Sequence, residues 1–213
     1  MFSMGVGAMP GSRSQNDELR GRKYLEKDEV MRIVRAAAKL GRQLRKLKPG
    51  EKRGRCTNGQ RDSAMILIAY RHAFRVSELV NLRWEQINLE RRSMFVKRLK
   101  GSSSQMHTMQ KDEVAVQRAL GRDRTGLVFR SELGGRMARN RFNQILARAA
   151  QAAGLKFPVN PHMLRHGCGF ELTNRGIPMR YIQDWMGHAN LQHTAGYAAL
   201  CDQRFRAVAM WDD

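Results

Sequence analysis

The sequence predicts an α+β fold, mostly helical, with one small antiparallel β-sheet. Three observations carry that expectation. Apolar residues recur at helical spacing in the segments before Trp84 and after Gln110. Between them, WEQINLERRSMFVKRLKGSSSQMHTMQ changes to an alternating pattern. Polar turn residues at 90–92 and 101–104 cut that stretch into about three short strands. Helices with a single small sheet form the α+β pattern.

Residues 1–22 are rich in Gly, Ser, Met and polar residues without periodicity, and read as a flexible lead-in. YLEKDEVMRIVRAAAKLGRQL places Val30, Ile33, Val34, Ala37 and Leu40 at helical spacing. Its acids Glu26, Asp28 and Glu29 come early, where the helix dipole favours them. LRKLKPGEKRGRCTNGQ, with Pro49, three glycines and many bases, is a loop. It reads equally well as a phosphate-contacting loop and as a solvated basic one. RDSAMILIAYRHAF is mostly apolar and should be a buried helix. The Val76, Leu79, Val80 spacing predicts a second helix starting at Arg75, where free backbone N–H groups can meet an anion.

Beyond the sheet, KDEVAVQRALGR is a short amphipathic helix, and LVFRSELGGR is a strand or loop turning at Gly134-Gly135. MARNRFNQILARAAQAAG is a helix stopped by Gly154. Residues 160–176 and 178–187 read as two further helices, the second opened by Pro178. Tyr197 lies on or beside a short helix after His188. The tail CDQRFRAVAMWDD is amphipathic through Phe205, Val208 and Trp211.

Composition narrows the partner. Of 213 residues, 42% are hydrophobic, which supports a folded core; 39 Lys and Arg against 19 acids give a formal charge of +20, spread along the whole chain. A basic chain of this kind suits a polyanion. No run approaches the ~18 apolar residues of a membrane helix, and the first twenty residues carry no signal-peptide run. Cys56, Cys168 and Cys201 are odd in number and widely spaced, as reduced thiols of a cytosolic protein are.

The reactive side chains gather between Asn160 and Leu200. His162, Arg165, His188 and Tyr197 fall within about forty residues. A guanidinium offers a planar fork of donors to phosphate oxygens. An imidazole can donate to the same oxygens or move a proton near neutral pH. A tyrosine hydroxyl, once deprotonated, can attack phosphorus. Taken singly, Tyr197 reads as a core or rim residue and Arg165 as a surface ion pair. His162 and His166 have the spacing of a zinc pair, but no H-E-x-x-H pattern and no clear third ligand accompanies them. His166, His193, His72 and His107 read as structural or supporting, and Cys168 as a packing residue.

His162-Met-Leu-Arg165-His166, then Met186-Gly187-His188 23 residues after Arg165, then Tyr197 nine residues on, resembles the catalytic end of the tyrosine recombinase (phage integrase) family. PHMLRHGCGFEL and IQDWMGHANLQHT most resemble its short bacterial members, which invert a fimbrial promoter segment. Upstream, FRVSELVNLRW resembles the first arginine box, giving Arg75 a catalytic role and Glu78 that of its acidic neighbour. KRLKGSSSQMHTM resembles the hairpin with the catalytic lysine and points to Lys100, with Lys97 as the competing choice. Arg98 is a poor general acid, because a guanidinium hardly gives up a proton.

The resemblance runs from about Tyr24 to the end of the chain. It implies a catalytic domain over 23–213; many members place a separate helical DNA-binding domain before it, and too few residues precede Tyr24 for one here, as in the fimbrial inversion recombinases. It also implies cleavage and rejoining of DNA through a 3′-phosphotyrosyl link, causing inversion, integration or excision. Arg75, Lys100, His162, Arg165, His188 and Tyr197 would carry the chemistry, with no cofactor or metal, because the arginines supply the positive charge. The partners implied are double-stranded DNA with paired recombination sites, further copies forming a homotetramer on DNA from a monomer or weak oligomer, and accessory DNA-bending proteins. The place of action would be the bacterial cytoplasm and nucleoid. A catalytically idle, basic DNA-binding protein and a topoisomerase-like nicking and closing enzyme are the alternatives.

Overall fold

Two helices set the frame. α1 (Lys27–Gln43) turns Val30, Ile33, Ala36 and Ala37 inward against α2 (Asn58–Arg71), which is buried from Ser63 through Tyr70. A helix apolar on nearly every side belongs inside. Each fully buried aliphatic such as Ile66 contributes about 1.5–3 kcal/mol. The computed structural model describes residues 22–43, 58–99, 102–120 and 124–188. The lead-in up to residue 21, most of the basic loop, Lys100, Tyr197 and the C-terminal tail lie outside the described residues.

The chain leaves α2 through a tight turn at His72 and Ala73, where Ala73 sits in the left-handed region at φ 51. α3 (Val76–Leu79) follows and is a single turn, shorter than the Val76, Leu79, Val80 spacing suggests. Its start is capped from the Glu78 side only, with the Arg75 backbone N–H donating to Glu78 Oε2 at 3.0 Å. A 3₁₀ turn (Trp84–Gln86) leads into β1 (Ile87–Asn88), β2 (Ser93–Val96) and β3 (Gln105–Thr108). These strands form the expected small antiparallel sheet in the order β1-β2-β3, with Met94 opposite His107 and Val96 opposite Gln105. Met94 and Val96 face the core, while Phe95 and Met106 face outward.

α4 (Lys111–Ala119) packs on α2. The LVFRSELGGR segment is a loop held by two isolated bridges, Arg83 to Leu127 and Arg130 to Arg136. α5 (Arg139–Ala152) buries Phe142, Ile145, Leu146 and Ala149, and Gly154 ends it as expected. α6 (Pro161–Asn174) starts at Asn160, whose side chain caps it by accepting from the Met163 N–H at 3.3 Å, with Pro161 in the first helical position. α7 (Met179–Met186) ends at Gly187. Among the described residues, no helix is long and apolar enough to cross a membrane.

Candidate active site

Three elements end within reach of one another, and the reactive residues sit at those ends. Arg75 stands just ahead of α3, with a third of its side chain exposed. Its Nη1 donates to Glu78 Oε1 at 2.9 Å and to Ser102 Oγ at 3.2 Å. Glu78 is fully buried. Burial works to raise its carboxyl, but the Arg75 backbone N–H and the Arg98 guanidinium outweigh it and hold the group below the usual carboxylate range. It is therefore an ionised acceptor for arginines, as the sequence suggests.

Arg165 lies on α6, buried, with its guanidinium anchored at both ends. Nη1 donates to the Ala73 carbonyl, and Nη2 donates to the Met186 carbonyl at 2.7 Å. His162 sits three residues earlier on the same helix, hence on the same side, and is exposed. His188 follows α7. Its backbone N–H donates to the Gln183 carbonyl at 3.0 Å, and Gln183 Nε2 donates back to the His188 carbonyl at 3.1 Å. Buried Gln183 thus grips the backbone of His188 from both sides. Gly187, at φ 66, makes the left-handed turn that directs the chain into His188.

Arg75 is thus held by Glu78, Arg165 by the Ala73 and Met186 carbonyls and His188 by Gln183, with His162 one helical turn from Arg165. Lys100 and Tyr197 lie outside the described residues. Lys97 is exposed on the strand side facing away from the core.

Arg98 is the residue the sequence reading passed over. Its side chain is 1% exposed, and its guanidinium is the crossing point of the site. Nη1 donates to the Ala73 carbonyl at 3.1 Å and to Glu78 Oε2 at 2.9 Å. Nη2 donates to the His72 carbonyl at 2.8 Å and to the Trp185 carbonyl at 2.7 Å. One side chain thus joins the turn before Arg75, the acid that holds Arg75, and the end of α7 before His188. The signal was available: continuing the inward parity of Met94 and Val96 puts residue 98 inside, and a buried arginine must be paired.

A second network underlies the turn. His72 Nε2 meets Glu113 Oε1 at 2.8 Å, and His72 Nδ1 meets His107 Nδ1 at 3.1 Å. The His107 ring stacks on Trp185 with centroids 3.8 Å apart. Trp185 Nε1 donates to the Arg71 carbonyl at 2.9 Å, and Arg71 clasps Asp112 at 2.5 and 2.7 Å. Burial, then the neighbouring His72 and Arg98 charges, push His107 down to about 2, so it is neutral. Burial works to raise Glu113, but the His72 hydrogen bond and charge, the Gln110 backbone N–H and the Arg71 guanidinium together outweigh it and hold the group below the usual carboxylate range. A carboxylate only accepts, so His72 Nε2 carries a proton. His72 and His107 are thus structural, as expected. Cys168 is buried, with its thiol pushed up to about 12 by burial, as befits a packing residue. Among the described residues, no group of three or more His, Cys, Asp or Glu side chains could hold a metal ion.

The phage integrase family model matches residues 23–204. The chain is 40% identical over 162 residues to the type 1 fimbriae regulatory protein FimE of Escherichia coli strain K12, covering 72% of this chain and 81% of that protein. It is 35% identical over 159 residues to the type 1 fimbriae regulatory protein FimB of the same strain, covering 71% and 78%. Its fold is similar to the crystal structure of XerA recombinase, with a TM-score of 0.69 at 23% identity over 87% of this chain and 63% of that one. It is also similar to XerH site-specific recombinase bound to its palindromic difH substrate, with a TM-score of 0.66 at 19% identity over 95% of this chain and 56% of that one.

Proposed function

The chain belongs to the phage integrase family and is a tyrosine-type site-specific recombinase; from that premise we propose that residues 23–213 form one catalytic unit that cleaves and rejoins duplex DNA through Tyr197. The observation that carries this reading is that buried Arg98 shares Glu78 with Arg75 and the Ala73 carbonyl with Arg165, and also holds the Trp185 carbonyl three residues before His188. Two anchored guanidiniums suit the charge that grows on non-bridging phosphate oxygens as a nucleophile adds, and the His188 imidazole is the candidate third donor. Preorganised donors of this kind contribute about 3–4 kcal/mol each to lowering a barrier.

In the proposed step, the Tyr197 oxygen attacks phosphorus and the bond to the 5′-oxygen breaks. The phenol, with an ordinary pKa of about 10, gives its proton to His162. Lys100 protonates the leaving 5′-oxygen. One phosphodiester replaces another, so no ATP is needed, and a 5′-hydroxyl from a second duplex reverses the step. Strand exchange between paired sites follows in a tetramer assembled on DNA, with accessory DNA-bending proteins able to shape the sites. The similarity to two fimbrial regulators favours inversion of a chromosomal segment in the bacterial nucleoid.

The test is covalent trapping. Wild type and Tyr197→Phe are incubated with nicked duplexes taken from genomic inverted repeats, and adducts are read on a denaturing gel. An adduct with the wild type alone is expected. No adduct on any such duplex, with salt-sensitive binding retained, would favour an idle DNA-binding protein. A duplex carrying sulfur at the bridging 5′ position needs no acid, because a thiolate leaves unaided. It should restore cleavage to Lys100→Ala; restoration of Lys97→Ala instead would move the acid to Lys97.

A further inference from the structure

The carboxylate of Glu78 is shared. Oε1 takes Arg75 at 2.9 Å and Oε2 takes Arg98 at 2.9 Å, while the backbone N–H groups of Arg75 and Leu99 fill its remaining positions at 3.0 and 3.3 Å. Glu78 and Arg98 are 0% and 1% exposed, whereas the Arg75 side chain is 33% exposed. Two cations therefore face one anion, and the cation left uncancelled is the one that reaches the surface.

We propose that Arg98 is a positioning residue for the recombinase reaction: it occupies Glu78 so that the carboxylate orients Arg75 without neutralising it. Substrate does not touch Arg98, because its guanidinium is enclosed by the Ala73, His72 and Trp185 carbonyls. Its effect passes through Glu78. Without Arg98, the full negative charge of a buried carboxylate falls on Arg75, the only other guanidinium bonded to it among the described residues. The pair then closes on itself, and Arg75 meets the phosphate as half of a neutral ion pair. Of the pair, only Glu78 is removed from water, and its burial strengthens the attraction at such distances above that of an exposed pair. Glu78 alone would quench Arg75, and Arg98 alone would leave Arg75 unoriented; together they give an oriented guanidinium with its charge intact.

The proposal rests on the recombinase reading, and a double-mutant cycle tests it. Single-turnover cleavage of the trapping duplex is measured for wild type, Arg98→Met, Glu78→Gln and the Arg98→Met/Glu78→Gln pair, alongside DNA affinity and melting temperature. Arg98→Met should slow cleavage about 100-fold, the scale of a misplaced catalytic group, with DNA affinity within about threefold of wild type. In the Glu78→Gln background a neutral amide cannot quench Arg75, so adding Arg98→Met should slow cleavage by less than about threefold. That non-additivity is the signature.

A role confined to bracing the carbonyls predicts the same loss in both backgrounds, because those bonds vanish in both. An equal loss would overturn the proposal, as would an Arg98→Met protein cleaving like wild type. If Arg98→Met alone does not fold, Glu78→Gln against the pair still decides, since the pair leaves no unmatched buried charge: under threefold supports the proposal, and about 100-fold refutes it. A wild type that forms no adduct would sink the recombinase reading and this proposal with it. A wild-type adduct with an additive cycle would sink this proposal alone.

Discussion

Replacing Gly187 with alanine perturbs the site at its tightest point. Gly187 has φ 66, and a Cβ there would stand 2.9 Å from Arg98 Cγ, 3.0 Å from the Ser103 carbonyl oxygen and 3.1 Å from Arg98 Nε. Two costs add. An L-residue in the left-handed region loses about 1 kcal/mol. Forcing a methyl against a packed side chain costs about 1–3 kcal/mol more, and Arg98 cannot simply swing away, because four acceptors hold its guanidinium. The sum is about 2–4 kcal/mol, a fall in melting temperature of roughly 5–15 °C for a chain of this size. Gly176 supplies the control. It has φ 72 and nothing within 4 Å of its would-be Cβ, so alanine there pays the backbone cost only, roughly 2–4 °C. The assay is thermal unfolding by circular dichroism, with single-turnover cleavage beside it. Gly187→Ala should melt well below Gly176→Ala and lose cleavage, since both Arg98 and the turn into His188 move. Equal melting temperatures would refute the claim that Gly187 is closed in by Arg98.

Three further outcomes are expected. His107 is held neutral down to about 2, while an unfolded histidine titrates near 6.5. The unfolded state binds the extra proton between those values, so stability rises with pH across that window and falls by up to about 1.4 kcal/mol for each unit below 6.5. Urea unfolding at pH 5 and 7 should show this slope, and His107→Leu should flatten it; an unchanged slope would remove His107 as its source. The Cys168 thiol, pushed up to about 12 and enclosed, should resist iodoacetamide in the native protein and react only in denaturant. Cys56→Ser and Cys201→Ser would isolate the signal, and rapid native labelling would contradict the burial. DNA affinity should drop about 10³-fold or more between roughly 50 and 200 mM salt if six or more phosphates are neutralised; a flat response would count against a broad basic footprint.

What was legible in the sequence, and what was not, divides along a physical line. Most of the helices from α1 to α7 are legible through period and punctuation: acids lead α1, Gly154 closes α5 and Pro178 opens α7, whereas the Asn160 cap of α6 and the left-handed Gly187 that ends α7 emerge only in the structure. The strands declared themselves through alternation. Arg75, Arg165 and His188 stand out as candidates because reactive residue types occur in a recognisable order and spacing. Contacts between distant segments leave no such trace. Nothing in RHAFR says that the Ala73 carbonyl will accept from both Arg98 and Arg165, because that depends on a left-handed alanine and on two guanidiniums 25 and 92 residues away. The α3 helix shortened to one turn for a related reason. Glu78 spends its carboxylate on Arg75, Arg98 and the Leu99 backbone, and Val80 ends the helix beside a turn that tertiary bonds fix.

Arg98 is the instructive case, because two rules of sequence reading met there and the weaker question was asked. Proton chemistry asks whether a guanidinium can act as an acid, and answers no. Strand parity asks where residue 98 points, and answers inward, beside Val96. An inward arginine at the end of a strand must find a carboxylate or carbonyls, and Glu78 stands beside Arg75 in the sequence as the available acid. Joining those statements yields a buried carboxylate shared by two arginines before any coordinate is known. The charge left over then has to appear on the arginine that remains at the surface.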